Sequence, residues 1–188
     1  MYCVIVIVVL ANLFWTGSGV VISNLEFKSD EGNHIVAHDN DNCIGYEFWF
    51  DKKMSWDEAA DACGCKLAVV NDRSLFNKLR RFINQVMLDN RLQKPKNKGY
   101  WIGASDKAEE LSFEFYCDSS TSSGITLPLE YPPWYEDQPN NHMRDGIGQN
   151  CVQMWNRDGN NAFKLDDDWC ADEKSFICQF PLSCCSPK

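Results

Sequence analysis

The residues best equipped for chemistry lie in the C-terminal half of the chain, where amides and carboxylates are set between cysteines. They are Gln138-Pro139-Asn140, then Cys151, then Asp166-Asp167-Asp168-Trp169-Cys170, then Cys178. A Gln-Pro-Asn turn places two side-chain carbonyl oxygens beside a backbone whose φ is fixed by proline. A run of aspartates ahead of a cysteine can close the same site from the other side. Oxygen-only donors on loops held by disulfides suit a hard cation such as Ca²⁺. The same open polar site can hold a sugar through hydroxyls that displace water from the metal. Catalysis is not expected. Asp166 to Asp168 can in principle pair as acid and base, yet no His, Ser or Cys sits in a recognisable nucleophile setting.

These loops need a frame, and the hydrophobic pattern supplies one. Tyr46, Phe48 and Phe50 alternate with Glu47 and Trp49, the pattern of a strand with one apolar face. Ser55-Trp56-Asp57-Glu58 has the spacing of a capping box, which predicts a helix running to about Cys63. Leu67 to Val70 reads as a short buried strand. A second helix follows, capped by Asp72 or Ser74, with Leu75, Leu79, Phe82, Ile83, Val86 and Met87 on one face. Tyr100-Trp101-Ile102-Gly103 reads as a buried strand, 117–150 as loop, and Cys151 to Trp155 and Phe176 to Phe180 as the last two strands. The pattern is that of a compact α+β domain with an unusually large loop region, and long loops of this kind are expected to be anchored and functional.

The ends of the chain carry different signals. Tyr2 to Trp15 is apolar except for Asn12, and small residues follow from Thr16 to Gly19. This predicts a secretory signal peptide over 1–19, with cleavage near Gly19 or, alternatively, Ser23. The other reading, a signal anchor, asks for about 20 apolar residues, more than this run contains. A polar segment without sustained period occupies 20–42 and reads as a loosely ordered lead-in. Its histidines, His34 and His38, lack a third ligand at metal-binding spacing. The domain proper is expected over 43–181, with a cysteine-bearing tail over 182–188. Ten cysteines in 188 residues imply a disulfide framework and an extracellular setting. Removing Cys3 with the signal leaves an odd number, hence one thiol for capping, for remaining free, or for a disulfide-linked homodimer through the Cys184-Cys185 pair. The net charge of −9 argues against nucleic acid as a partner, and no stable membrane insertion is expected.

From Cys43 to Pro181 the sequence resembles the C-type lectin domain. The resemblance is carried by Trp56 and the helix ending at Cys63, the Trp101-Ile102-Gly103 strand, the Gln138-Pro139-Asn140 turn, and the spacing of Cys151, Cys170 and Cys178. It implies a C-type lectin-like fold, with two helices packed on small antiparallel sheets and a long disulfide-stapled loop region. It also implies the disulfides Cys63–Cys178 and Cys151–Cys170. Because the first and last strands of that fold pair antiparallel, Cys43 is expected near Cys184 or Cys185, and Cys65 with Cys117 is a further candidate pair.

Carried over residue by residue, the family's principal Ca²⁺ site falls on Gln138, Asn140, Gln149, Asp166 and Asp167. The same side chains would hydrogen-bond sugar hydroxyls, with His142 at a position where galactose binders often carry an aromatic ring. The chain departs from the family pattern in having amides at both ends of the turn and at 149. Two carboxylates then stand where about three are usual, so calcium affinity is expected to be weak; Asp145 and Asp168 are reserve carboxylates. The resemblance implies a secreted, calcium-dependent lectin for glycans on cells, microbes or glycoproteins, with a lean toward galactose-like sugars because Gln leads the turn. The alternative is a lectin-like domain that binds a protein partner without calcium or sugar.

Overall fold

A computed structural model describes residues 25–28, 34–39, 43–64, 66–89, 98–116, 122–129, 133–160 and 162–182. The predicted signal segment, Cys65, Cys117, Cys184 and Cys185 lie outside these described residues.

The alternating aromatics of β3 (Ile44–Met54) behave as their spacing predicts. Tyr46, Phe48 and Phe50 are buried in the main core, against the second helix and the strand carrying Tyr100. The opposite face of β3 presents Trp49, which is sandwiched between His34 at 4.2 Å and Phe176 at 5.8 Å between ring centroids. Ser55 then starts α1 (Trp56–Ala62) with a reciprocal capping box. The Ser55 N–H donates to Glu58 Oε2 at 3.0 Å, and the Glu58 N–H donates back to Ser55 Oγ at 3.4 Å. Trp56 is buried, and its indole N–H donates to the Ile102 carbonyl at 2.8 Å, tying the helix to the central strand. Gly64, at φ 55°, ends the helix in the left-handed region that favours glycine.

Helix α2 (Arg73–Asp89) is capped by Asp72, whose Oδ1 accepts from the Ser74 and Leu75 N–H groups. Leu79, Phe82, Ile83 and Met87 face the core as predicted, but Phe76 takes the place expected of Leu75, which is only half-buried. Arg80 lies over the Phe76 ring at 5.9 Å, covering its outer side.

The remaining strands are β1 (Leu25–Lys28), β2 (His34–Asp39), β4 (Lys98–Ser105), β5 (Glu114–Tyr116), β6 (Ser122–Thr126), β7 (Cys151–Asn156), β8 (Lys164–Asp168) and β9 (Lys174–Pro181). The path runs β1-β2-β3-β9-β4-β5-β6, and β7 branches off β4 to pair with β8. All pairings are antiparallel except β4 with β9. The α+β class and the lectin-like architecture are therefore those expected. β3 and β9 pair antiparallel from Ile44↔Pro181 onward, and the Leu182 N–H donates to the Cys43 carbonyl at 3.0 Å. Cys43 is disulfide-bonded, with its partner outside the described residues.

Three expectations about elements need correction. The lead-in is not loosely ordered at 34–39, because β2 pairs along β3 from His34↔Trp49 to Asp39↔Ile44. Ile35, Val36 and Ala37 are all buried, so both faces are covered and no alternation is left to read. Leu67 to Val70 is not a strand but an extended segment with one bridge, Leu67↔Cys178, held by Ala68 and Lys66 backbone bonds to β9. The stretch 117–150 is not loop throughout, since Ser122–Thr126 pairs with β5. Both implied disulfides are present, Cys63–Cys178 closing the domain and Cys151–Cys170 joining β7 to the segment after β8.

Candidate functional site

The aspartate run forms strand β8, where alternation decides what each carboxylate can do. Pairing with β7 sets Gln153 opposite Asp166, Cys151 opposite Asp168 and Val152 opposite Asp167. Side chains of directly opposed residues share a face of the sheet. Asp166, Asp168 and Gln153 therefore floor one side, while Asp167 shares the other with Val152, Leu165 and Met154, which are buried in the core.

The outward side is a polar cleft of about 380 Å³. Gln138, Asn140, His142, Gln149 and Asp166 line it, so all the predicted site residues except Asp167 converge there. Asp167 lies beneath the turn. Its Oδ1 accepts from the Asn140 N–H at 3.0 Å, and its Oδ2 accepts from the Asn141 N–H at 2.6 Å. Burial pushes the Asp167 carboxyl up, and these two backbone bonds pull it partly back. Asp167 is thus the post on which the Gln138-Pro139-Asn140 turn, with its cis Gln138–Pro139 bond, is mounted.

On the cleft side the donors and acceptors interlock. The His142 N–H is shared between Asn140 Oδ1 at 2.9 Å and Gln149 Oε1 at 3.1 Å, drawing two predicted ligand oxygens onto one donor. Gln153 Nε2 bridges Asp166 Oδ2 and Asp168 Oδ2, both at 2.7 Å. Asp168 Oδ1 accepts from Gln149 Nε2 at 3.1 Å and from the Trp169 N–H at 2.9 Å, while Oδ2 also accepts from Lys174 Nζ at 2.7 Å. A carboxylate has about four lone-pair positions, so Asp168 is saturated by the protein. Asp166 is pushed up to about 7, chiefly by burial and then by the neighbouring Asp168 and Asp167 charges, with the Gln153 bond opposing.

Between Asn141 and Gln149 the chain makes a tight two-residue turn. Arg144 and Ile147 exchange backbone bonds at 2.9 and 3.0 Å around Asp145 (φ 54°) and Gly146 (φ 80°), the left-handed pair a type I′ turn requires. The turn is pinned beside the cleft, where Trp169 Nε1 donates to the Ile147 carbonyl at 3.0 Å. The Arg144 guanidinium lies 4.1 Å from the Trp169 ring and pairs with Asp172 at 2.5 Å. Asp145 sits at the exposed tip and does not line the cleft, so it adds no ligand there. His142 meets the Trp169 ring edge-on at 5.7 Å.

Asp168, a reserve carboxylate, lines the cleft, and five further lining residues lie outside the predicted set: Gln153, Trp155, Trp169, Asp172 and Lys174. Gln153 was legible as the residue two beyond Cys151 on the same strand face. Lys174 carries no local signal, because it is the first residue of β9, between Cys170 and Cys178, and enters the cleft only through strand pairing. Asp106 and Glu110 were missed too. They stand under the same loops, where the Asn141 side-chain amide donates to Glu110 Oε2 at 2.6 Å and the Asp106 N–H donates to the Asn150 carbonyl at 3.2 Å. Burial, above all, pushes the Asp106 carboxyl up to about 6.

The fit to a hard cation rests on the oxygens left over. Gln138 Oε1 lines the cleft region yet is buried without a hydrogen-bond partner among the described residues. Asp106 Oδ1, Asn141 Oδ1 and Asn150 Oδ1 are in the same condition nearby. Buried acceptors of this kind call for water or an ion. Among the described residues no group of three or more His, Cys, Asp or Glu side chains is arranged to hold a metal. A cation in the cleft would therefore depend on amide oxygens, and the donor set fits weak Ca²⁺ binding rather than a transition metal.

A disulfide-framed sheet carrying a loop-built polar cleft defines a binding domain. The Lectin C-type domain family model matches residues 52–180, and the chain belongs to that family. It is 29% identical over 139 residues to C-type lectin lectoxin-Enh4 of Pseudoferania polylepis, covering 71% of this chain and 75% of that protein. It is 27% identical over 87 residues to the hepatic lectin of Gallus gallus, covering 46% of this chain and 35% of that protein. In structure it matches the mouse scavenger receptor C-type lectin carbohydrate-recognition domain with a TM-score of 0.54, at 19% identity and covering 84% of this chain and 96% of that one. The chain spans about a third of the hepatic lectin, so the match there is to one part of a longer protein. Family membership supports a lectin role in general terms, and its relatives are binding proteins. No described helix is long and apolar enough to cross a membrane.

Proposed function

We propose that this chain is an extracellular lectin whose cleft binds glycans through sugar hydroxyls, with Ca²⁺ as a weakly held participant. The observation that carries the reading is the convergence of Gln138, Asn140, Gln149 and Asp166 on one cleft, with Gln138 Oε1 buried and without a hydrogen-bond partner among the described residues. Ca²⁺ would supply a charge that gathers these oxygens and accepts two hydroxyls of a sugar. Gln138, Asn140 and Gln149 would donate and accept around the same hydroxyls, and Asp166 would accept from them. Asp167 serves by holding the turn from beneath rather than by facing the ligand. His142, Trp155 and Trp169 offer aromatic edges and faces for the apolar side of a sugar ring. A galactose-like ligand is proposed because Gln leads the turn.

One shallow site of this kind gives low affinity, so useful binding would rest on several copies. A disulfide-linked homodimer through Cys184 or Cys185 is the proposed route, and non-reducing electrophoresis showing monomer alone refutes it. The function is tested by titrating the secreted protein against immobilised galactose, mannose and complex glycans, in Ca²⁺ and in EDTA. Binding that falls at least tenfold in Gln149→Ala and Asp166→Ala, with both variants folded, supports the cleft. Wild-type protein that retains none of these glycans in either condition overturns the lectin reading and favours a protein ligand.

A further inference from the structure

The cleft already contains a cation of its own. Lys174 enters from β9, and its ammonium sits 2.7 Å from Asp168 Oδ2, with the two side chains only 16% and 13% exposed. The Trp101 ring lies 5.0 Å from that nitrogen and backs it. Through Asp168 the ammonium is linked to Gln149, a predicted cation ligand, and to Gln153, which in turn holds Asp166. The bonds from Gln149, Gln153 and the Trp169 N–H therefore meet on a carboxylate that Lys174 neutralises.

We propose that Lys174 is a built-in competitor of calcium, which holds the cleft floor in order without a divalent cation and sets how weakly the cleft takes one. This deepens the lectin reading and rests on its placement of the cation. With the ammonium in place, Asp168 is saturated and its charge is cancelled, leaving Asp166 as the cleft-facing carboxylate with no ion pair among the described residues. Calcium affinity follows the number of carboxylates a site can offer. Removing the ammonium opens one position on Asp168 Oδ2, which keeps its bond from Gln153, on the same face as Asp166, and adds one negative charge to the cleft.

The test is a Ca²⁺ titration of metal-free protein followed by thermal melting, in wild type, Lys174→Gln, Lys174→Arg and the double variant Asp168→Asn/Lys174→Gln. Lys174→Gln retains a hydrogen-bond donor for Asp168 and is expected to respond at least tenfold lower in Ca²⁺ than wild type. Lys174→Arg, which keeps the charge, is expected at the wild-type midpoint. The double variant is expected to return toward wild type, because the gain comes from the freed Asp168 carboxylate. If Lys174→Gln unfolds in EDTA, Ca²⁺ below about 10 mM is expected to refold it by binding only the native state. Equal midpoints in wild type and Lys174→Gln, no response in either, failure of an unfolded Lys174→Gln to refold, or a gain that persists in the double variant would each overturn the proposal. Binding to immobilised glycans is scored separately on the same proteins. Glycan binding with no Lys174 effect on Ca²⁺ sinks this inference alone, whereas a Lys174 effect without any glycan binding sinks the lectin reading alone.

Discussion

Asp167→Ala separates a mounting role from a metal-ligand role, and the structure supplies the magnitude. Asp167 is 1% exposed and accepts the backbone N–H groups of Asn140 and Asn141. The second contact to the Asn140 N–H, at 3.2 Å, shares a donor already counted, so two bonds are lost. A hydrogen bond to a charged group contributes about 1.5–3 kcal/mol, and two would give about 3–6 kcal/mol. Burial of the carboxylate offsets part of this gain, and water can reach a half-exposed turn once the side chain is gone. The net cost is therefore set at the lower end, about 3 kcal/mol. For a domain of this size that corresponds to a fall in Tm of about 6–12 °C. The assay is thermal melting by near-ultraviolet circular dichroism in EDTA and again in Ca²⁺. The fall is expected in both buffers, together with faster amide exchange at Asn140 and Asn141. Asp167→Asn keeps one acceptor and is expected to lose about half as much. A Tm in EDTA within about 2 °C of wild type would refute the mounting role, and a loss seen only in Ca²⁺ would return Asp167 to the ligand set.

Other perturbations read other parts of the frame. The disulfides close segments of different length, 115 residues for Cys63–Cys178 and 19 for Cys151–Cys170; in the chain-entropy model their removal as paired serines costs about 5 and about 3 kcal/mol, which denaturant titration would rank. In Gly99→Ala the added Cβ would fall on Gln153 Oε1, so the Gln153 amide must shift from its place between Asp166 and Asp168. Weaker glycan binding with little loss of helix signal is expected, and unchanged binding would show that Gln153 does not order the cleft. Trp56→Phe removes the donor to the Ile102 carbonyl and leaves that oxygen buried, a cost of about 1–3 kcal/mol measurable by urea unfolding.

What the sequence disclosed depended on whether one physical signal dominated a segment. Ser55 and Glu58 announce α1 because a capping box is local, and Tyr46, Phe48 and Phe50 announce β3 because one face of it meets the core. β2 was hidden because its second face is covered as well, with His34 on Trp49. β8 was hidden because Lys-Leu-Asp-Asp-Asp has poor intrinsic strand preference; its ladder with β7, the Leu165 backbone bonds to Pro133 and Tyr135, and the bonds to Gln153 and the Asn140–Asn141 backbone make it a strand. The same pairing explains the candidate site. The resemblance to the C-type lectin domain implied Gln138, Asn140, Gln149, Asp166 and Asp167 alike, but carrying residues over by position does not tell which face of a strand each occupies. The direction of Asp167 and the arrival of Lys174 are facts of register, and register is set by tertiary pairing.

The chemistry of the cleft follows from how its charges are already matched. Asp166, Asp168 and Asp172 line it, yet Asp168 is held by Lys174 and Asp172 by Arg144. A cleft with three unmatched carboxylates would demand a divalent cation before it could accept any neutral ligand. Here two of the three are neutralised from within, and the neighbouring ligand positions Gln138, Asn140 and Gln149 are amides, which both donate and accept. Sugar hydroxyls also donate and accept, so they can bond this set directly. On the proposed reading calcium would adjust affinity in the cleft rather than create the site, and Lys174 would set the size of that adjustment.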